Sequence, residues 1–220
     1  MQTIIIPDIH NKTHIADMIA NQHQDADIIC LGDYFDNYNE SMGEATRVAN
    51  WLKTKLHNPR WMLLAGNHDV HYMHSGKFQC SGYSAIKDIL INAVLTKKDW
   101  SRLQAWTCRQ QYIISHAGFD DRKSIGITTA GLLLQAEKEL QAGTTGGLLE
   151  AGKDRGGRAE VGGFTWADFR TIKPRPSIPQ IVGHTQGEQV RAKDNMVCLD
   201  TNLNHYGVLD ESGILSIRRV

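Results

Sequence analysis

Short apolar segments that end abruptly in polar turns constrain the fold of this chain more than any other feature. The clearest are residues 3–6, 26–31 and 61–65, and each is followed within a few positions by aspartate, asparagine or histidine. Apolar runs of this length are typical of buried strands, whereas the stretches between them have the apolar spacing of helices. The sequence therefore predicts an α/β domain.

Capping and turn residues predict the other elements. Ser41 and Glu44 have the spacing of a capping box, which predicts a helix from there to about residue 57. Closely spaced apolar segments joined by turn residues predict antiparallel hairpins near the carboxyl end. The remaining predicted elements are helices at 13–24, 84–106 and 128–143, and strands at 111–115, 178–182, 196–199, 205–209 and 213–218.

Composition and charge argue against several classes of protein. The 24 basic and 24 acidic residues cancel, so the chain lacks the basic excess and the strong signature of a nucleic-acid-binding protein. No apolar run approaches the roughly 20 residues of a membrane span, so no membrane association is expected. The first residues have no signal-peptide character. The four cysteines are scattered without a Cys-x-x-Cys pair, which indicates reduced thiols and a cytoplasmic location.

Residues 143–163 contain eight glycines, which predict a long irregular loop. Loops of this length inside a compact domain tend to be functional or mobile. Neither an internal repeat nor a linker divides the chain. We therefore expect residues 1–220 to form a single domain that contains this loop, and the sequence carries no pattern that sets an oligomeric state.

Metal-ligand residue types collect after five of the predicted strands. Side chains at the carboxyl ends of strands converge on one crevice, which is the usual ligand position in open α/β sheets. Aspartate, histidine and asparagine supply the mixed oxygen and nitrogen donors that suit Mn, Fe or Zn. A single histidine at a strand end is more often structural, but five such clusters in order indicate a metal site. The clusters lie at residues 8–10, 32–36, 66–69, 115–118 and 183–184.

In order, these clusters read Asp-x-His, Gly-Asp-x-x-Asp, Gly-Asn-His-Asp, His-Ala-Gly and Gly-His-Thr. From residue 8 to about 209, the series resembles the calcineurin-like metallophosphoesterases. The Gly-His-Thr motif and residues 198–201 are most similar to the bacterial and phage branch of the phosphoprotein-phosphatase type, which includes Ser/Thr phosphatases and symmetrical dinucleoside tetraphosphate hydrolases. The resemblance implies a four-layer αββα sandwich, in which two mixed β-sheets pack between helices.

The resemblance also implies a role for each matching residue. Two transition-metal ions, Mn first with Fe or Zn as alternatives, would bind at the strand ends, and a metal-bound hydroxide would attack phosphorus. Asp33 would bridge the ions. His68 would protonate the leaving alcohol as the general acid, and Asp36 would orient its imidazole. The other ligands would be Asp8 and His10 for the first ion, and Asn67, His116 and His184 for the second.

The activity implied is metal-dependent phosphoester hydrolysis, with phosphomonoester cleavage from a phosphoprotein or a small molecule first. The alternative is a phosphodiesterase or pyrophosphohydrolase that acts on dinucleoside polyphosphates, cyclic nucleotides or nucleic acid ends. A non-catalytic binding module on the same fold is a third hypothesis. Such a module would have lost ligands or the acid, and this chain retains all of them.

Three positions depart from the family pattern. Asn37 and Tyr38 stand where the protein phosphatases have Arg-Gly, so a phosphate-binding arginine is missing from its usual place. This departure keeps the phosphodiesterase alternative open. Asp69 replaces the glutamate of many relatives, and Gln186 replaces a second histidine that many non-phosphatase relatives carry.

The glycine-rich loop offers replacements for the missing arginine. Arg155 ranks first for binding the substrate phosphate and Arg158 second, with Arg170 more distant. Solvated charges on a loop explain these arginines equally well.

The loops at 71–83 and 143–163 are expected to set substrate specificity. His71 and His74 follow the Gly-Asn-His-Asp turn. We expect both to be solvated loop residues, with a position at the rim of the pocket as the alternative. His205, in a strand near the end of the chain, could face the site.

Overall fold

The first of two sheets contains both ends of the chain. The structure, a computed structural model, describes residues 1–37, 41–78 and 80–220. Strands β1 and β2 run parallel, as do β2 and β3. Strand β9 pairs antiparallel with β1, and β10 pairs antiparallel with β9, which gives the order β10-β9-β1-β2-β3. These strands are β1 (Thr3–Ile6), β2 (Asp27–Cys30), β3 (Trp61–Leu63), β9 (His205–Leu209) and β10 (Leu215–Arg219).

The second sheet is also mixed. Its order is β4-β5-β6-β8-β7, with parallel pairing of β5 to β6 and of β6 to β8 and antiparallel pairing at both edges. Its strands are β4 (Trp106–Arg109), β5 (Tyr112–Ser115), β6 (Gln180–Val182), β7 (Arg191–Lys193) and β8 (Met196–Cys198).

The two sheets pack face to face through the alternate side chains of their central strands. Ile5 and Ile29 of the first sheet share one buried cluster with Ile114 and Ile181 of the second. Successive side chains of a strand point to opposite faces, so the neighbouring Ile4 and its equivalents face outward, into a separate cluster with helical residues. This apolar interface fixes the position of one sheet on the other.

Helices cover the outer faces. The helices are α1 (Thr13–Gln22), α2 (Met42–Leu56), α3 (Asn67–Met73), α4 (Ala85–Val94), α5 (Lys97–Trp100) and α6 (Thr129–Ala142). Apolar residues of α1 and α2 pack on the first sheet, and Trp106 Nε1 of β4 donates to the Leu133 carbonyl of α6 at 2.8 Å. The irregular segment 167–172 covers β6 and β8 through Phe169 and Ile172. The four-layer fold predicted by the resemblance is confirmed.

One predicted helix is wrong, and two short elements were not predicted. The helix predicted at 84–106 is interrupted after Val94, because Thr96 caps the short α5, and the chain then enters β4, which pairs with β5. Helix α3 was not predicted, nor was the partly exposed edge strand β7. Each of these elements is short, so the alternation of apolar and polar residues within it is too brief to identify a helix or a strand from the sequence. Among the described helices, none has the length and apolar character of a membrane span.

Replacing Ile181 with alanine should lower the free energy of unfolding by about 2–5 kcal/mol, because the cavity lies between two sheets that cannot close over it. Chemical denaturation measures this effect. Ile89→Ala is the matched control: Ile89 is 71% exposed on α4, so its loss should change stability by less than about 0.5 kcal/mol. Similar losses in the two variants would contradict the role of the intersheet cluster.

Candidate metal centre

Three parallel strands in each sheet bring the polar turns together. In the first sheet, the carboxyl ends of β1, β2 and β3 lie at one edge, because the three strands run parallel. In the second sheet the same holds for β5, β6 and β8. Two hydrogen bonds join the edges across the sheets: His184 N donates to Asp8 Oδ1 at 3.0 Å, and His116 Nδ1 donates to the Leu31 carbonyl at 2.9 Å.

A first ligand group combines Asp8, His10 and Asp33, whose candidate ligand atoms all lie within 4.8 Å of one another. His10 Nε2 is 3.7 Å from Asp33 Oδ2. The Nδ1 of the same ring donates to the Phe35 carbonyl at 2.9 Å. This hydrogen bond holds the proton on Nδ1 and leaves Nε2 free as a ligand, which is the usual support of a metal-binding histidine.

A second ligand group combines the same Asp33 with His116 and His184. His116 Nε2 lies 3.5 Å from Asp33 Oδ2, 3.1 Å from His184 Nδ1 and 3.2 Å from Asn67 Oδ1. The Leu31 carbonyl accepts from Nδ1 of His116 and so keeps the proton of this ring on Nδ1. The Nε2 of His116 is therefore unprotonated, and its lone pair is directed into the group. Asp33 is therefore shared by both groups.

The electrostatics of these residues fit cations. Burial and the neighbouring carboxylates of Asp200 and Asp33 raise the pKa of Asp8 well above its ordinary value. Burial, aided by the neighbouring His116 ring, lowers the pKa of His184, and burial lowers that of His116, so both imidazoles stay neutral. A neutral imidazole has the free lone pair that a metal ligand needs, and carboxylates crowded together are stabilised by a cation between them. The donor set therefore fits metal ions.

The backbone at the site adopts conformations that are normally avoided. His10, Asp33, Asp36 and His184 all have positive φ, between 39° and 65°. Each such residue costs on the order of 1–3 kcal/mol and persists only where the surroundings dictate it. Gly183 is required by close approach: a Cβ there would lie 2.0 Å from Asp8 Oδ1.

Asp69, which the sequence marks only as a departure from glutamate, joins two ligand turns. Its side chain is fully buried at the start of α3. Its carboxylate accepts hydrogen bonds from the backbone N–H groups of Asp33 at 2.7 Å, Tyr34 at 2.9 Å and Gly66 at 2.8 Å. Burial and the charge of Asp33 raise the pKa of Asp69 to about 8, against these three donors.

His68 and Asp36 lie beside the ligand groups. His68 Nδ1 donates to Asp36 Oδ2 at 2.9 Å, and its backbone N–H donates to Asp33 Oδ1 at 2.9 Å. Burial alone would raise the pKa of Asp36, but hydrogen bonds from His68, His71 and Lys87 outweigh it and hold that pKa below its ordinary range. The pair is therefore a carboxylate-oriented imidazole.

The prediction that His71 and His74 are solvated loop residues is wrong. His71 lies in the last turn of α3 and is 1% exposed, and its Nε2 lies 2.9 Å from Asp36 Oδ2. His74 is the residue that follows the helix. His74 is half-buried and its Nε2 donates to the Leu140 carbonyl at 2.7 Å. The three-residue spacing between His68 and His71 is the sequence signal that could have placed the rings of these two residues on one helix face.

Three further residues lie near the site, and none of them was among the predicted site residues. Lys87 of α4 is buried and its Nζ contacts Asp36 Oδ1, and the Tyr72 hydroxyl donates to the same oxygen at 2.7 Å. Asp200 follows β8 and is buried within electrostatic reach of His10 and Asp33. A search for polar residues after every parallel strand would have included Asp200.

The structure separates the candidate arginines. Arg155 Nη2 donates to the hydroxyl of Thr185, the residue after His184, at 2.8 Å, and its Nε lies 3.1 Å from Asp168 Oδ2. Arg170 pairs with the same carboxylate, and Arg158 is exposed.

His205 contacts the Thr201 hydroxyl instead of a ligand group. Tyr38 lies outside the described residues.

The family profile of the calcineurin-like phosphoesterases matches residues 1–185 of this sequence. The chain therefore belongs to the calcineurin-like phosphoesterases, and it is a phosphoester hydrolase. No curated protein is significantly similar to it in sequence.

Solved structures share the fold at low sequence identity. A cold-active protein-tyrosine phosphatase from a psychrophilic Shewanella species is 14% identical, with a TM-score of 0.63 over 98% of this chain and 80% of its own. A serine/threonine phosphatase from Saccharomyces cerevisiae is 12% identical, with a TM-score of 0.57 over 100% and 80%. A candidate diadenosine tetraphosphatase is 14% identical, with a TM-score of 0.56 over 99% and 93%.

Asp69→Ala should lower the free energy of unfolding by about 3 kcal/mol or more, because it leaves three buried N–H groups without an acceptor. Denaturant titration of the metal-free chain measures this loss. Glu188→Ala, which removes an exposed carboxylate, should change stability by less than about 0.5 kcal/mol. An Asp69→Ala variant as stable as the wild type would show that the ligand turns hold without this carboxylate.

Proposed function

We propose that this chain is a dinuclear-metal-dependent phosphomonoesterase that acts on a phosphoprotein or a phosphorylated small molecule. The observation that carries the proposal is the sharing of Asp33 between two ligand groups, with the His68–Asp36 pair beside them. A shared carboxylate is what two adjacent ions need, and a carboxylate-oriented imidazole is suited to proton transfer.

The ligands proposed are Asp8, His10 and Asp33 for one ion and Asp33, Asn67, His116 and His184 for the other. We propose manganese first, with iron or zinc as alternatives, because oxygen and nitrogen donors without thiolate accept all three. When bound, such ions neutralise the charge of the phosphate and make a bound water more acidic. The rest of the reaction depends on residues of the chain itself.

His68 is proposed as the general acid. Its Nδ1–H is held by Asp36 Oδ2 at 2.9 Å, which leaves Nε2 to carry the proton toward the leaving group. The negative charge of Asp36 stabilises the protonated ring, and burial strengthens this effect because the dielectric constant is low. Lys87 and Tyr72 contact Asp36 on its other oxygen, so they fix the carboxylate that fixes the acid.

Arg155 is proposed to bind the phosphate in place of the arginine missing at Asn37. Its contact with Thr185 lies one residue from His184, and its pairing with Asp168 orients the guanidinium. A guanidinium in this position can form two parallel hydrogen bonds with phosphate oxygens. Arg158, which ranked second from the sequence, has no described contact of this kind and is the weaker candidate.

A second candidate function is a phosphodiesterase or pyrophosphohydrolase on dinucleoside polyphosphates, cyclic nucleotides or nucleic acid ends. Asn37 and the similarity to a candidate diadenosine tetraphosphatase favour it. The non-catalytic binding module is the least supported hypothesis, because His68 and the six candidate ligands are all present.

Two wider proposals accompany this one. We propose that residues 1–220 act as a single domain, since β1 and β9 from opposite ends of the chain pair within one sheet. All four cysteines are free thiols, which supports the proposed cytoplasmic location, where thiols stay reduced.

Manganese-loaded protein should hydrolyse p-nitrophenyl phosphate faster than bis-p-nitrophenyl phosphate. His68→Ala should lower kcat about 10²- to 10⁴-fold, which is the usual contribution of a general acid. The exposed His14 on α1 gives the matched control, because His14→Ala removes the same ring without touching the site. Preference for the diester would favour the second candidate function, and full activity of His68→Ala would contradict the assignment of the acid.

Arg155→Ala should lower kcat/KM for p-nitrophenyl phosphate about 10- to 100-fold, because a charge-assisted contact with phosphate is worth about 1.5–3 kcal/mol. Arg158→Ala is the control and should stay within about twofold of the wild type, since that side chain is exposed. Steady-state kinetics of the two variants compare them directly. A larger loss in Arg158→Ala would reverse the ranking of the two arginines.

A further inference from the structure

A cluster of soft and nitrogen ligands lies next to the two ligand groups already described. Cys80 Sγ is 3.0 Å from His71 Nδ1 and 3.7 Å from His68 Nδ1, and the candidate ligand atoms of the three residues all lie within 4.8 Å of one another. None of the proposed ligands of the two ions is a thiol. We propose that Cys80, His71 and His68 form a third cation site, selective for a soft divalent ion such as Zn²⁺, whose occupation inhibits the enzyme.

The distances suit tetrahedral zinc. Zinc binds sulfur at about 2.3 Å and imidazole nitrogen at about 2.0–2.1 Å, so neighbouring ligand atoms are separated by about 3.5 Å. The Sγ to Nδ1 separations of 3.0 Å and 3.7 Å lie on either side of that value. Three protein ligands would leave the fourth position to water.

His71 is prepared as a ligand by its surroundings. Its Nε2 lies 2.9 Å from Asp36 Oδ2, and the carboxylate favours the proton on that nitrogen. The Nδ1 lone pair is then directed toward Cys80 Sγ. A carboxylate behind the far nitrogen is the arrangement that commonly supports zinc-binding histidines.

The turn that carries Cys80 is fixed against the same carboxylate. Gly82 has φ of +87°, and a Cβ at this position would lie 2.8 Å from Asp36 Cβ. The segment from Cys80 to Gly82 therefore packs tightly on Asp36 and holds the thiol near the two rings. Cys80 is itself only half-buried, so an ion can reach it from solvent.

Inhibition follows from the identity of the third ligand, and this part of the inference rests on the proposed function. His68 Nδ1 now donates to Asp36 Oδ2. For an ion to bind at the third site, His68 Nδ1 and Cys80 Sγ must each lose their proton to solvent, and the lone pairs set free then bind the ion. The imidazole then loses its hydrogen bond with the orienting carboxylate and no longer acts as a carboxylate-paired acid.

Cobalt spectroscopy tests the site without reference to catalysis. Co²⁺ added to the manganese-loaded full chain should produce a thiolate-to-cobalt absorption band in the near ultraviolet, which oxygen and nitrogen ligands do not give. The band should disappear in Cys80→Ser and Cys80→Ala. Cys108→Ser is the matched control and should keep it, because that exposed thiol lies on β4, apart from the cluster. Absence of the band in the wild type, or its survival without Cys80, would overturn the site.

Zinc titration of activity tests the consequence. With p-nitrophenyl phosphate as substrate and each protein normalised to its own uninhibited rate, Cys80→Ser should require at least about tenfold more Zn²⁺ for half inhibition than the wild type or Cys108→Ser. Equal sensitivity would mean that zinc inhibits by displacing manganese, and the inhibitory role would be wrong. A wild type without any activity would instead contradict the proposed function, while the cobalt band would still decide whether the third site exists.

Discussion

Buried carboxylates that accept hydrogen bonds from backbone N–H groups hold the strand-end turns together, and the rest of the site depends on them. Asp69 joins the turns after β2 and β3, Asp33 accepts from the backbone of His68, and Asp8 accepts from His184 across the two sheets. Each carboxylate replaces hydrogen bonds that the strands no longer supply once the chain leaves them. The same carboxylate oxygens therefore fix the turns that carry the ligand residues and give the site its negative charge.

This arrangement is unfavourable in the isolated chain and favourable around cations. Asp8 and Asp200 are buried close to Asp33, and burial together with the charge of Asp33 raises the pKa of both. Several ligand residues also have left-handed backbone conformations. The apolar cluster between the sheets, which joins β1 and β2 to β5 and β6, contributes stability that offsets both effects. Backbone strain at the ligand turns persists because the packed core beneath them is rigid, and such strain is typical of functional sites.

Asp36 connects the proposed acid to the proposed third cation site. It contacts His68 and His71 through one oxygen, and Lys87 and Tyr72 through the other. One carboxylate thus positions both the proposed acid and a histidine of the proposed third cation site. Because His68 belongs to both, proton transfer and binding of a soft ion compete for the same imidazole, and no longer-range conformational change is needed to couple them.

The sequence by itself determined eight of the ten described strands, the main helices and the order of the ligand clusters, because apolar periodicity and the residues that follow each strand are local properties. Asp8, Asp33 and His184 were recognisable in this way, and so was the family. Tertiary structure decided the surroundings of Asp36. Lys87 lies 51 residues away from it, and α4 reaches it by packing on α2 and α3. Cys80 belongs to a turn that only close packing fixes, so no local pattern could bring these side chains together.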